Sequence, residues 1–305
     1  LGIGQATMRY ANKYDIPVVA TNHAIPENLL DNIRMLARVS KPLSYILTEY
    51  GARFHAKADY VTMPTQSAID MLAGGRDNLL KTPIIPVSNG IDLSKFKPTK
   101  ASSRIYRKFG IPTDSKVISY IGRLDAEKHV NVLIRAFNEI LIRTNQPIHL
   151  LIVGFGTEED RLQNQVYELG IDKCVTFTGR VEDQEIVELH KVGQVFCMPS
   201  PAELQCISAL EAMASGKPIV AVNAGAVPEL CQDGRNGYLC EKDNVQQIAE
   251  RLQKIIEDDT LQKRFSKESL AITKTHDLQH TLKTFEKIYK DVMRSKTRAV
   301  PQRLL

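Results

Sequence analysis

The 305-residue chain has no tryptophan, and aromatic residues make up only 6% of it. No RNP-type aromatic motif and no zinc-finger spacing accompanies its bases, so nucleic acid is not an expected partner. The five cysteines, Cys174, Cys197, Cys206, Cys231 and Cys240, are odd in number, scattered and without a CxxC pair. That argues against a disulfide scaffold and fits reduced thiols, mostly buried as small hydrophobes, in a cytoplasmic protein. Cys206 stands in a loop where a reactive thiol would meet a ligand. No apolar run approaches the ~20 residues of a membrane span. No signal peptide is visible at Leu1-Gly2-Ile3-Gly4, and a start without Met is expected not to be the natural one. The seven histidines form no HxH or HExxH and no DxD occurs, so a catalytic metal is not expected. There is no P-loop, no GxSxG, no internal repeat and no low-complexity tract.

What is present is the composition of a soluble globular enzyme, 43% hydrophobic and 25% charged, with length for two domains. The net charge is +5. Bases gather at Arg34, Arg38 and Lys41, at Arg53 and Lys57, and in a tail with Lys283, Lys287, Lys290, Arg294, Lys296 and Arg298. Solvated helix faces explain them. The other reading is contact with an anionic membrane surface.

From residue 117 strands and helices alternate. Strands are expected at Val117–Ile121, Ile148–Val153, Val175–Phe177, Val195–Met198 and Ile219–Val222, with a stub at Tyr238–Leu239. Helices are expected at Glu127–Ile142, Glu158–Leu169, Asp183–Val192, Val227–Cys231 and Val245–Glu257. Strands poor in polar residues, each followed by a helix, give a parallel sheet covered on both faces, a Rossmann-like domain. The first ~90 residues yield three strands (Pro17–Thr21, Tyr60–Met63, Ile84–Val87) among helices at Gln5–Lys13, Glu27–Arg38, Pro42–Ala58 and Thr65–Ala73. Three parallel strands make a poor independent core, so strands N-terminal to Leu1 are expected to be absent. The expected organisation is an incomplete Rossmann-like domain over 1–90, a complete one over 91–275, and a charged C-terminal helix with basic tail over 276–305. The turn Ser88-Asn89-Gly90-Ile91-Asp92 and the polar stretch Lys95–Ser103 mark the junction.

The most informative segment is PSPAELQCISALEAMASGKPIVAV. Glu203 lies on the loop after an apolar strand and a Pro199-Ser200-Pro201 turn. Glu211 rides on a helix that opens near Ile207 and stops at Gly216. Between them lies a helix N-terminus, whose free N–H groups attract phosphate. Either glutamate alone fits an ordinary surface acid. Together, inside strand–loop–helix–Gly–strand, they suit the hydroxyls and phosphate of a nucleotide-sugar.

A second constellation is Gly122-Arg123-Leu124-Asp125-Ala126-Glu127-Lys128. Arg123 and Lys128 straddle the start of a helix at the carboxyl edge of the sheet and make a diphosphate clamp. The plainer alternative is surface ion pairs with Asp125 or Glu127. The turns Gly154-Phe155-Gly156 and Gly179-Arg180-Val181 are weak signals. His23, after the first strand, is functional only if a second domain faces it, and a lone histidine is more often structural.

These segments resemble glycosyltransferase family 4, retaining enzymes of the GT-B fold. The motifs carrying the resemblance are ATNHAIPENL, SNGIDLSKF, YIGRLDAEKHVNVLIRAF, VGFGTEEDRL and PSPAELQCISALEAMASGKPIVAVNAGAVPEL. The resemblance implies two Rossmann-like domains, the C-terminal one holding a nucleotide-sugar donor and the N-terminal one an acceptor, with no other cofactor. It implies that Arg123 and Lys128 hold the diphosphate and that Glu211 bonds ribose hydroxyls. It sets Glu203 beside the donor hexose, with the backbone N–H groups of Gln205, Cys206 and Ile207 along hexose and phosphate. It puts the base against the Arg180-Val181 backbone and His23 near the transferred sugar. The implied reaction retains anomeric configuration, with the leaving diphosphate taking the acceptor proton.

Many family members have Phe-Gly-Leu where this chain has Leu204-Gln205-Cys206. Gln at that place is similar to bacterial glycosyltransferases that act on diacylglycerol-type lipids. A membrane lipid or glycan precursor is therefore the expected acceptor, with the protein peripheral on the inner membrane face. Two alternatives stay open: a GT-B nucleotide-sugar 2-epimerase, and a non-catalytic fragment that binds the donor.

Overall fold

A computed structural model describes residues 2–23, 40–73 and 82–299. The chain forms two compact units, Leu1–Gly90 with Leu278–Leu305, and Ile91–Asp277.

The first unit holds α1 (Gly2–Lys13), β1 (Val19–Thr21), α2 (Ser40–His55), β2 (Tyr60–Met63), α3 (Gln66–Ala73) and β3 (Ile84–Pro86). Its sheet is parallel in the order β1-β2-β3, with Val19 opposite Tyr60 and Val61 opposite Ile84. Met8, Ala58 and Val61 fill one side. On the other, Val87 packs with Ile288 and Val292 of the last helix, Leu278–Ala299. That helix is tied down where Thr281 Oγ1 donates to Ser88 O at 3.0 Å. The helix expected over 27–38, with Arg34 and Arg38, lies outside the described residues.

In the second unit the elements run α4 (Ser103–Phe109), β4 (Lys116–Ile121), α5 (Val130–Arg143), β5 (Ile148–Val153), α6 (Glu159–Glu168), β6 (Val175–Phe177), α7 (Asp183–Val192) and β7 (Val195–Met198). They continue as α8 (Ile207–Ala214), β8 (Ile219–Val222), α9 (Val227–Leu230), β9 (Gly237–Cys240), α10 (Val245–Glu257) and α11 (Asp259–Thr273). The six parallel strands lie in the order β6-β5-β4-β7-β8-β9. Ile118, Leu150, Leu151, Phe196, Ile219 and Val220 are wholly buried, as a sheet covered on both faces requires. From β4 the chain winds outward to β6, then returns to the far side of β4 at β7. The strand order therefore reverses between β4 and β7, and a crevice opens at their carboxyl ends.

One sequence expectation is corrected and two helices are added to it. The helix expected over 127–142 is divided: a 3-10 turn, Ala126–Lys128, is followed by His129 in the left-handed region at φ 52° before α5 begins. His129 Nδ1 is 2.7 Å from Asp243 Oδ1, which secures the break. The polar junction stretch ends in a short helix, α4, closed by Gly110 at φ 64°. A further helix, α11, starts where the Asp258 carboxylate accepts from the N–H groups of Thr260 and Leu261.

All five cysteines are free; Cys197, Cys206, Cys231 and Cys240 are buried and Cys174 is half-buried. Burial raises all four buried thiols, Cys206 and Cys240 to about 12. No helix among the described residues is long and apolar enough to cross a membrane.

The close approach of β4 and β5 depends on Gly154, at φ 128°, where an added Cβ would lie 2.0 Å from Gly122 O. Gly154→Ala is expected to cost about 1–3 kcal/mol by urea unfolding; an unchanged midpoint would refute this account of the turn. His149 on β5 is buried, with Nε2 2.9 Å from Thr176 Oγ1, and burial lowers its pKa to about 4. Between that value and the 6.5 of an exposed imidazole, the unfolded chain binds more protons than the native one. Wild type should lose stability relative to His149→Gln as pH falls from 6.5 to 4. A difference independent of pH would show that His149 is not held neutral.

Candidate functional site at the β4–β7 crevice

Two loops leave the crevice, one after β4 (Gly122 to Lys128) and one after β7 (Pro199 to Cys206). Two contacts join them. Lys128 Nζ donates to Glu203 Oε1 at 2.6 Å, with both side chains mostly buried (14% and 12% exposed). Ser200 Oγ donates to Glu127 O at 3.3 Å. The wholly buried Tyr120, at the end of β4, donates its hydroxyl to Arg123 O at 2.7 Å. The one sequence sign of that last role is a hydroxyl in the apolar run of β4.

Arg123 pairs with Asp125 and, at 2.7 Å, with Glu127, yet its side chain remains 60% exposed. The plainer ion-pair alternative therefore holds for Arg123 in this structure. Asp125 is itself anchored, accepting from the N–H and hydroxyl of Thr157 at 3.1 Å. The second oxygen of Glu127, Oε2, is buried without a partner. The Arg123 group sums to −1: cations Arg123 and Lys128 against Asp125, Glu127 and Glu203.

The Glu203 loop rests on the turn after β8. Ala226 N–H donates to Glu203 O at 2.9 Å, and an added Cβ at Gly225, φ 57°, would lie 2.6 Å from that oxygen. Gln205 is buried. Cys206 belongs to the hydrophobic core, and burial and the Glu203 charge hold its thiol protonated. The side chain is thus packed in the core as a small hydrophobe, the reading expected for most of these thiols, and the alternative of a reactive Cys206 is not favoured. Cys206 also precedes α8 without forming a side-chain cap, and Ile207 is 44% exposed. The first-turn N–H groups of a helix attract an anion, and that of Ala209 also meets the Cys206 sulfur.

Glu211 is on α8, and its Oε2 is 3.0 Å from His190 Nε2 on α7. No contact among the described residues joins Glu211 to Arg123 or Lys128. Arg180 follows β6, two strands from β4, with its guanidinium 3.7 Å from the centre of the Phe155 ring. The two weak turn signals, Gly154-Phe155-Gly156 and Gly179-Arg180-Val181, are thus joined by this contact. Val181 packs against the core. His23 is exposed beyond β1 in the first unit. So Lys128, Glu203 and Arg123 are gathered, Glu211 is held from a neighbouring helix, and Arg180 marks the sheet's far side. Among the described residues, no group of three His, Cys, Asp or Glu side chains is placed to hold a metal ion.

The profile described as "Glycosyl transferases group 1" matches residues 102–270, and that of "Glycosyltransferase Family 4" matches residues 2–95. The D-inositol 3-phosphate glycosyltransferase of Corynebacterium jeikeium is 31% identical over 243 residues, 77% of this chain and 58% of that protein's length. The sucrose-phosphate synthase of Thermosynechococcus elongatus superposes with a TM-score of 0.81 at 19% identity, over 96% of this chain and 72% of that one. The Anabaena protein Alr3699/HepE, solved in complex with UDP-glucose, gives 0.76 at 24% identity over 94% and 76%. At these identities the structural likenesses bear on fold alone, and the fold is GT-B, with two Rossmann-like α/β units.

The Lys128–Glu203 pair is expected to be energetically coupled. In a double-mutant cycle with Lys128→Ala and Glu203→Ala, urea unfolding should give a coupling of about 1–2 kcal/mol. Additive losses would mean that the loops are held together by other contacts.

Proposed function

The chain belongs to the group 1 glycosyl transferases, and we propose that it transfers a hexose from a uridine- or guanosine-diphosphate sugar to a hydroxyl acceptor, with retention. The observation that carries the reading is the Lys128–Glu203 pair at the reversal point of the strand order. It sets an ammonium and a carboxylate side by side where ligands of open parallel sheets bind. Lys128 takes the leaving diphosphate, and Glu203 accepts from a hexose hydroxyl. Arg123, exposed enough to move, exchanges Asp125 and Glu127 for phosphate oxygens. The open N–H groups at Cys206 and Ile207 receive the remaining phosphate charge. Glu211 takes ribose hydroxyls, the Arg180-Val181 turn meets the base, and His23 serves the transferred sugar. Positioning and neutralisation of the leaving group do the work, with no glycosidase-like acid pair required.

For the acceptor we propose a membrane lipid or glycan precursor. On the last helix, Lys283, Lys287 and Lys290 run beside Leu282, Tyr289 and Met293, which are 50–60% exposed. A basic stripe flanking an apolar one suits an anionic membrane surface. A phosphorylated polyol is the second reading, favoured by the name of the Corynebacterium relative.

Calorimetry with UDP-glucose and GDP-mannose tests the donor. One should bind, and Lys128→Ala or Arg123→Ala should weaken it at least about tenfold, as the loss of a charge-assisted hydrogen bond does. Binding by neither, or binding indifferent to both substitutions, overturns the reading. Transfer of labelled sugar to diacylglycerol in anionic vesicles, against D-inositol 3-phosphate in solution, separates the acceptors. The lipid reading also requires retention on those vesicles at low salt and release at high salt.

A further inference from the structure

We infer that His190 is a positioning residue, whose Nε2–H holds one oxygen of the Glu211 carboxylate so that the other is presented to the hydroxyl pair of a nucleoside ribose. This rests on the assignment of Glu211 to the ribose made above.

His190 lies in the last turn of α7 and is 1% exposed. Its ring is fixed from two sides. Phe96 meets it edge-on, with centroids 5.6 Å apart and planes at 83°, and Phe196 of β7 lies 6.1 Å away. Only one ring nitrogen has a partner: Nε2 is 3.0 Å from Glu211 Oε2, whereas Nδ1 is buried with none. A carboxylate oxygen can only accept, so Nε2 carries the hydrogen of this bond.

A residue that merely filled this space between two phenylalanines would have no polar atoms to leave unpaired. The imidazole is explained by the one bond it makes. Glu211 has three side-chain torsions and is 20% exposed, so without a partner its carboxylate would spread over several rotamers. The rigid, wedged N–H selects one of them. Among the described residues Oε1 has no protein partner, and Oε2 keeps a second lone pair. Together these accept two hydroxyl hydrogens of a cis-diol while His190 fixes the plane of the group. Neither segment points to this pairing from sequence, because the residues are 21 positions apart on different helices.

The test uses the chain itself with UDP or GDP, whichever binds more tightly, and the 2′,3′-dideoxy analogue of the same nucleotide. His190→Phe keeps the ring volume and removes the donor; His190→Gln keeps an N–H. His190→Phe should weaken the ribonucleotide on the order of tenfold and leave the dideoxy analogue within about twofold. His190→Gln should restore much of the difference. Combined with Glu211→Ala, His190→Phe should add no further loss. If His190→Phe weakens both nucleotides equally, or neither, the inference is overturned; should that variant not fold, the ratio of the two affinities in His190→Gln decides, and a fall to that of Glu211→Ala overturns it. If Glu211→Ala itself leaves the ribo-to-dideoxy ratio unchanged, the assignment of Glu211 fails instead, whatever His190 does.

Discussion

The ion pair between Lys128 and Glu203 is the contact on which the crevice depends. Each residue comes from a different loop, and the loops diverge because the strand order reverses between β4 and β7. Without a bond across that gap, two mobile segments would each carry half a site. With it, an ammonium and a carboxylate hold one another in place, and a smaller bond from Ser200 to the Glu127 carbonyl reinforces them. The pair is mostly out of solvent, so water screens it little. It also keeps a cation at the strand ends of a group that otherwise carries excess negative charge. The two loops are therefore joined before any ligand arrives.

Much of the fold was legible because buried parallel strands leave a plain mark. Ile148–Val153, Val195–Met198 and Ile219–Val222 are continuous apolar runs with turn residues at their ends, and each is a strand over those bounds. What escaped was set by backbone geometry or by capping. The break at His129 needs a left-handed residue within an apolar helical pattern, and its support, Asp243, is 114 positions away. The helix Asp259–Thr273 begins immediately after another ends, with Asp258 serving as the C-terminal cap of one and the N-terminal cap of the next. Periodicity does not register so short a joint.

The site was legible to a lesser depth. Glu203, Glu211, Arg123 and Lys128 could be picked out because charged residues at strand ends and helix starts stand out against apolar surroundings. Their partners could not. Tyr120 lies inside an apolar strand and His190 inside a charged amphipathic helix, and both are buried. Their significance comes from bonds to Arg123 O and Glu211 that only the folded chain brings within reach. The Cys206 side chain, by contrast, is buried in the core, as scattered thiols of this kind are expected to be.

The cysteines supply a consequence of another kind. Four of the five thiols are sealed in the second unit, and only Cys174, in the 3-10 turn before β6, is partly open. An aromatic disulfide reagent added to the native chain should therefore modify one sulfur quickly and the rest only as that unit opens. The slow colour yield then times the opening of the sheet in the unlabelled, unmutated chain, and a fluorophore coupled through maleimide would settle on a single known address.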